Sequence, residues 1–269
     1  MDLVNKGTVK ESFWKIINSF NFLMKIALLF LVFLFYPYSI NIDCLNCSEQ
    51  NTYSVLVITE TKGWVHDSIE SGVDLIENIG DKNNFNVYHS DDSKVITSEN
   101  LKKFNSIIFL NTTGNILNDY EQKVFENFIR SGKGYVGVHS ASDTEYEWQW
   151  YGDLVGAYFR NHSDVVDGRI FTVNNSHKIT EHLNTVWNIQ DEWYNFDYIS
   201  DNINVLLKLD ETSYDGGEHP DYHPITWYHE YDGGKSFYTA LGHTKEVFED
   251  ERFIKLLERG ILYVSDEDY

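Results

Sequence analysis

The sequence predicts an α/β fold, a three-layer sandwich in which helices cover both faces of a mostly parallel sheet. Three observations carry that prediction. Short, nearly continuous apolar runs recur through the first half of the body, as strands buried on both faces require. Amphipathic stretches at helical spacing separate them. Right-handed crossovers between parallel strands then put those helices on both faces of the sheet. Residues 54–60 read as the first strand. A helix follows from Asp67 and Ser68, with Val73, Leu75, Ile76 and Ile79 on one side and Gly80 as its stop. Residues 85–89 form the second strand, 98–101 a short helix and 106–111 the third strand. The stretch 119–131 carries Tyr120, Val124, Phe125, Phe128 and Ile129 along one face, and Gly132 and Gly134 break it before the fourth strand at 135–139. From Phe171 onward, shorter strands are expected between acidic, glycine-rich loops, the longest at 210–222. A late strand over 234–242 and a helix over 249–263 close the domain. Ligand sites in such a sheet lie at the C-terminal ends of its strands.

Composition narrows the function. Of 269 residues, 16% are aromatic, which excludes a disordered chain. Lys and Arg number 21 against 42 Asp and Glu, a net charge of −21, so no nucleic-acid partner is expected. A neutral small molecule, a sugar or a cation suits the body better. Both cysteines, Cys44 and Cys47, precede that body. It therefore offers no disulfide, no thiolate zinc site and no cysteine nucleophile, and its chemistry must use imidazole and oxygen.

The apolar run over 26–36, preceded by Lys25 and closed by Pro37, falls short of the roughly 20 residues a spanning helix needs. It has signal-peptide length. Residues 1–47 thus read as a signal peptide or N-terminal anchor, ahead of a domain at 53–265. Met24 is a natural signal start. A start at Met1 would add the apolar stretch 13–22 and favour an uncleaved anchor. Either reading exports the body to the periplasm or cell surface. Cys47 could begin a lipid-tethered chain, although Leu45 and Asn46 make a poor lipobox.

Histidines fall where strands end. His66 follows the first strand, His139 closes the fourth, and His243 closes the late one. The segment 137–141 has the layout of a strand-to-helix elbow, which presents one side chain at the sheet's edge. Here that side chain is histidine, suited to base or metal-ligand work and poorly suited to a stable acyl-enzyme. Ser140 lies one residue past the apex. Asp191 and Glu192 pair carboxylates beside Trp193 and Tyr194, where aromatics could desolvate an acid. The plainer reading is a solvated acidic turn with Trp193 in the core. His223 and His229 flank a short strand that also holds Trp227.

These segments carry a resemblance. Residues 64–69, 132–141, 154–159 with His162, 191–194, 223–227 and 234–244 look like the ordered motifs of the ThuA-like (trehalose utilisation) family, across about 53–264. Departures are Val65, where many members carry Arg or Tyr, and Lys235 for Arg. The resemblance implies a class I glutamine amidotransferase-like, flavodoxin-like sheet in which histidine, here His139, replaces the elbow cysteine. It also implies carbohydrate utilisation through 3-keto sugars.

Two functions follow from the residues and the resemblance together. The first is an enzyme acting on a 3-keto glycoside by proton transfer beside the carbonyl, with His139 and His243 as base and acid and Glu192 as their carboxylate partner. His66, Trp193, Tyr194, His223 and Trp227 are then the substrate-binding candidates. One divalent metal on His66, His139, His243 and Glu192 fits a body without thiolates. The competing view is that these imidazoles only hydrogen-bond the sugar. The second function is a non-catalytic saccharide-binding or scaffold domain. Glutamine hydrolysis is set aside for want of a cysteine.

Overall fold

The computed structural model describes residues 53–220 and 222–265. The signal-peptide or anchor segment at 1–47, its alternative starts and Cys47 lie outside the described residues. The strands are β1 (Ser54–Ile58), β2 (Asn86–Ser90), β3 (Ser106–Leu110), β4 (Gly134–Val138), β5 (Ala157–Thr172), β6 (Val186–Ile199), β7 (Asn204–Asp210), β8 (Pro224–Tyr231) and β9 (Gly234–Thr239). The helices are α1 (Ile69–Asn83), α2 (Ser98–Leu101), α3 (Asp119–Arg130), α4 (Gln149–Val155) and α5 (Glu251–Ser265). No helix among the described residues is long and apolar enough to cross a membrane.

The nine strands among the described residues join one sheet in the order β2-β1-β3-β4-β9-β8-β7-β5-β6. Strands β2, β1, β3, β4 and β9 run parallel. From β9 outward every pairing is antiparallel. The expected mostly parallel sheet is therefore corrected to a mixed one. The physical reason lies in what apolar runs report. Strands β1, β3 and β4 are buried at every position, so they stand out as continuous hydrophobic text. Strands β5 and β6 form a long hairpin with exposed positions along both strands and register shifts near Phe159 and His162. Charges and bulges break the alternation there, so the sequence suggested only shorter strands after Phe171.

Around the parallel half the layers are as expected. Leu110 lies under Gly72 of α1 and Phe237 under Gly260 of α5, which places these helices on one face. Phe109 stacks on Phe125 of α3 and on Tyr151 of α4 across the other. Helix α3 starts in a capping box, with the Asn118 side chain accepting from Tyr120 N and Glu121 N while the Glu121 carboxylate accepts from Asn118 N. Helix α1 differs from expectation, because Gly80 does not stop it. The helix runs on to Asn83, and Asn84 closes it in the left-handed region. A Cβ on Gly80 would sit 2.7 Å from Val87 Cγ2, so this glycine lets the helix lie close on β2.

Candidate metal centre and active site

The site is assembled at the C-terminal ends of β1, β4 and β9, with one group reaching in from β6. His139, the residue after β4, takes φ 49°. For a histidine this left-handed conformation costs about 1–3 kcal/mol, and its surroundings fix it. Tyr238 Oη donates to His139 O at 2.8 Å, and Tyr151 Oη donates to Ala141 O at 2.6 Å. Gly137 leaves room for the side chains of Tyr135 and Tyr238, since a Cβ there would lie 2.9 Å from Tyr135 Oη and from Tyr238 Cδ2. The segment from His139 to Asp143 then coils as a 3-10 turn. The elbow read from 137–141 is thus a physical one, with imidazole at its apex.

The ring of His139 has a definite tautomer. Its Nδ1 lies 2.8 Å from Ala240 O, and a carbonyl can only accept, so Nδ1 carries the proton. That leaves Nε2 with its lone pair 3.3 Å from His243 Nδ1 and 3.6 Å from Glu192 Oε2. Glu192 Oε2 is in turn 3.1 Å from His243 Nδ1. His66 stands edge-on to both other imidazoles, with ring centroids 4.8 Å and 5.2 Å away. Ser140, wholly buried, places its hydroxyl 3.4 Å from His66 Nδ1, so it steadies that ring.

His66, His139, Glu192 and His243 each offer one ligand atom, and these atoms lie within 4.8 Å of one another. Tetrahedral zinc bonds of about 2.0–2.2 Å set ligand atoms roughly 3.3–3.6 Å apart. The separations of 3.1, 3.3 and 3.6 Å among three of the four lie at or close to that span. The electrostatics match as well. Burial, reinforced by the neighbouring imidazoles, pushes His66 down to about 3, so it is neutral and holds a free lone pair at physiological pH. Burial pushes Glu192 up, but the imidazoles of His139 and His243 beside it outweigh that and bring the carboxyl to about 2. Burial lowers His243, yet Glu192, with help from Asp191 and Asp67, raises it on balance. The residues present fit a divalent ion.

The loop that carries His243 is held by buried polar groups on both sides. Asp191, wholly buried, accepts from Gly242 N at 2.8 Å, His243 N at 3.1 Å and Thr244 N at 3.2 Å. It lies in β6, so the expected solvated acidic turn is corrected to a strand. From the other side, Ser68 Oγ and Asn111 Nδ2 both donate to Gly242 O. Next to the centre opens a cavity of about 390 Å³. His66, His162, Glu192 and His243 form its polar side, and Trp64, Phe159, Tyr194 and Asp143 complete the walls.

The structure therefore gathers His66, His139, Glu192 and His243 in one place and puts Tyr194 on the cavity, its ring 4.2 Å from that of His139. It separates the remaining candidates. Trp193 is buried on the other side of β6, with Nε1 donating to Val166 O. Trp227 packs on Tyr238 and donates to Val155 O. His223 spans Tyr194 O and Glu211 Oε1 at 2.8 and 2.7 Å. None of the three lines the cavity. As substrate contacts they are corrected to framework: Trp193 and Trp227 face the core by alternation on β6 and β8, and His223, just before β8, is taken up by its two hydrogen bonds. His162, Asp143, Phe159 and Trp64 were not singled out as site residues. Trp64, Phe159 and His162 had a signal in the motifs at 64–69 and 154–159 with His162, and Asp143 had none.

Fold and site together define an α/β protein with a histidine elbow and a three-imidazole, one-carboxylate cluster at its strand ends. A family model for ThuA, trehalose utilisation, matches residues 54–264, and the chain belongs to that family. Among solved structures, a ThuA-like protein from Bacteroides uniformis ATCC 8492 is 22% identical, with TM-score 0.69, over 80% of this chain and 92% of that one. A ThuA-like protein from Parabacteroides merdae ATCC 43184 is 15% identical, with TM-score 0.68, over 80% and 90%. A cytoplasmic protein of Salmonella typhimurium LT2 is 11% identical, with TM-score 0.58, over 79% and 100%. At such identities the likeness concerns the fold. No curated protein matches the sequence.

Proposed function

We propose that the protein acts on a neutral, oxidised (3-keto) glycoside by moving a proton next to the carbonyl, with a divalent ion held by His66, His139, His243 and Glu192. The observation that supports this most is the convergence of those four ligand atoms beside an aromatic-walled cavity. When bound, such an ion supplies Lewis-acid polarisation of a carbonyl oxygen. The protein's own groups do the rest. His139 and His243, proposed from sequence as base and acid, are occupied as ligands in this reading, so the proton passes to His162. Its Nδ1 lies 3.0 Å from Glu192 Oε1 and 2.8 Å from Ser163 O, which orients the ring and leaves Nε2 to take the proton. Burial raises the Asp143 carboxyl, against the pull of its hydrogen bond from Tyr146 Oη, which favours a proton held there for return to substrate. Phe159 and Tyr194, with ring centroids 4.2 Å apart, give the sugar an apolar wall and exclude water.

The test is incubation of the purified protein with a panel of glycosides and their 3-keto forms, with and without chelator, read by mass spectrometry. Metal-dependent product from the keto forms is expected. Binding without turnover of any form would instead establish the non-catalytic saccharide-binding module.

Acid should release the ion. His243 is raised above its ordinary value, so below about 6.5 its ring is protonated and a metal must displace that proton. Affinity for Zn²⁺ is therefore expected to fall with pH, by about tenfold per unit for one displaced proton. Competition against a chromophoric chelator at pH 8 and pH 6 measures it, and an affinity that is flat or tighter in acid contradicts the ligand assignment.

We propose in addition that the body is exported, released or tethered after residue 47. Support comes from the charged and apolar pattern at 25–36. N-terminal sequencing of protein from a bacterial host is expected to find a terminus near Ser48, and an intact Met1 or Met24 on soluble cytoplasmic protein would overturn it.

A further inference from the structure

Four buried tyrosines around the site spend their hydroxyls on the protein. Tyr135 Oη lies 2.7 Å from Tyr151 Oη, and Tyr151 Oη donates to Ala141 O at 2.6 Å. Tyr238 Oη donates to His139 O at 2.8 Å, and Tyr158 Oη to Trp148 O at 2.7 Å. Tyr194 differs. Only 2% of the residue is exposed, yet among the described residues no protein group bonds its hydroxyl. The side-chain polar atoms that are both sealed from solvent and unpaired lie elsewhere, so Tyr194 Oη borders open space. The space this residue lines is the cavity.

The acceptors nearby are already engaged. Tyr146 Oη lies 2.7 Å from Asp143 Oδ1 and 2.8 Å from Phe159 O, while the Glu192 oxygens face His162 Nδ1 at 3.0 Å and His243 Nδ1 at 3.1 Å. The phenol ring is also fixed. It packs against His139 and Phe159, each with its ring centroid 4.2 Å away, and His223 Nε2 donates to Tyr194 O at 2.8 Å. Glu211 holds that imidazole from behind, its Oε1 lying 2.7 Å from His223 Nδ1 and accepting from His219 N at 2.6 Å. His219 Nε2 in turn accepts from Phe196 N at 3.0 Å, so the strand is tied on the far side of the cavity residue. A phenol held in this way, with one O–H to give, is a donor set in advance for an oxygen that enters the cavity.

We propose that Tyr194 is a catalytic hydrogen-bond donor, its Oη–H meeting the oxygen that gains charge as the substrate loses a proton. This rests on reading the cavity as a site of proton transfer beside a carbonyl. In that step the C–H bond next to the carbonyl breaks and its proton goes to His162 Nε2. The electron pair left behind forms a C=C bond, and the carbonyl π pair moves onto oxygen. Tyr194 keeps its own proton and shares it with that enolate oxygen as a hydrogen bond. Protonation of carbon then restores a carbonyl. A charged oxygen accepts more than one contact, so the phenol acts alongside a bound cation without competing with it. The bond strengthens as charge develops, and it therefore adds to rate more than to substrate affinity.

Tyr194→Phe in the full-length protein tests this, since it keeps the ring and removes only the hydroxyl. The melting temperature is expected to match the native one, because no protein partner is lost. A fall beyond about 2 °C would assign the hydroxyl to the framework and overturn the proposal. With the two anomers of methyl 3-ketoglucoside as substrates, kcat of the Zn²⁺-loaded variant should drop about 100-fold. KM and Zn²⁺ affinity should stay within about threefold of native. The metal-free proteins give a reading independent of turnover. The infrared carbonyl band of the same compounds, ¹³C-labelled at the keto carbon, should lie lower when bound to native protein than to Tyr194→Phe, because a hydrogen bond to the oxygen weakens C=O. Coincident bands, a kcat within about threefold of native, or slower turnover accompanied by weaker Zn²⁺ binding each overturn the proposal while the carbonyl reading of the cavity stands. Native protein that turns over neither anomer overturns both.

Discussion

Replacing Glu192 by glutamine is expected to weaken Zn²⁺ binding by at least about 100-fold, more than the loss of an outer-shell partner costs, and to abolish metal-dependent turnover. Glu192 supplies the only negative charge among the four candidate ligands, and its Oε2 is the atom 3.1 Å from His243 Nδ1 and 3.6 Å from His139 Nε2. Glutamine keeps the shape and removes the charge, so the variant isolates electrostatics from packing. Metal titration of tag-free protein measures the effect, and an affinity within about threefold of native would remove Glu192 from the ligand set. The ion-free proteins add a second reading. The Glu192 carboxyl is held at about 2, below its ordinary value, so its contribution to stability is fully present above about 4.5 and is lost as pH falls through 2. Native and Glu192→Gln proteins without metal should thus differ in melting temperature near neutrality and converge in strong acid.

Asp191→Ala should be the most damaging single change to the scaffold of the site. It would leave three N–H groups without their acceptor, that of Gly242 buried and those of His243 and Thr244 partly buried. At about 1–3 kcal/mol for each unsatisfied group, and allowing for relaxation of the loop, the loss is roughly 3 kcal/mol or more. For a domain of this size that corresponds to a fall in melting temperature of about 6–12 °C. Metal affinity should drop with it, since His243 would no longer be held in place. A shift under about 2 °C would show that the loop is fixed from the other side, by Ser68 and Asn111.

Half of the fold was legible because burial on both faces writes itself as uninterrupted apolar text. That is the case for β1, β3 and β4, and for the amphipathic α3 between the latter two. The hairpin of β5 and β6 was not legible, since exposed polar positions and bulges around His162 erase a period of two. The same division holds at the site. His66, His139 and His243 were found by topology, because loops after parallel strands share one edge of the sheet. Glu192 lies on the strand at the far end of the sheet order, and only its adjacency to aromatics drew notice. That adjacency also misled. Glu192 and Tyr194 share one side of β6 and meet the cavity, whereas Trp193 between them must face the other way.

The four clustered residues stand at positions 66, 139, 192 and 243, so the centre draws on nearly the whole length of the domain. No nascent or partly threaded chain can contain it, because its last member emerges just before α5. A body exported as proposed, as an open chain, would consequently acquire the proposed ion only on arrival, from the pool of the compartment where folding ends, and the metals available there would decide which one it carries.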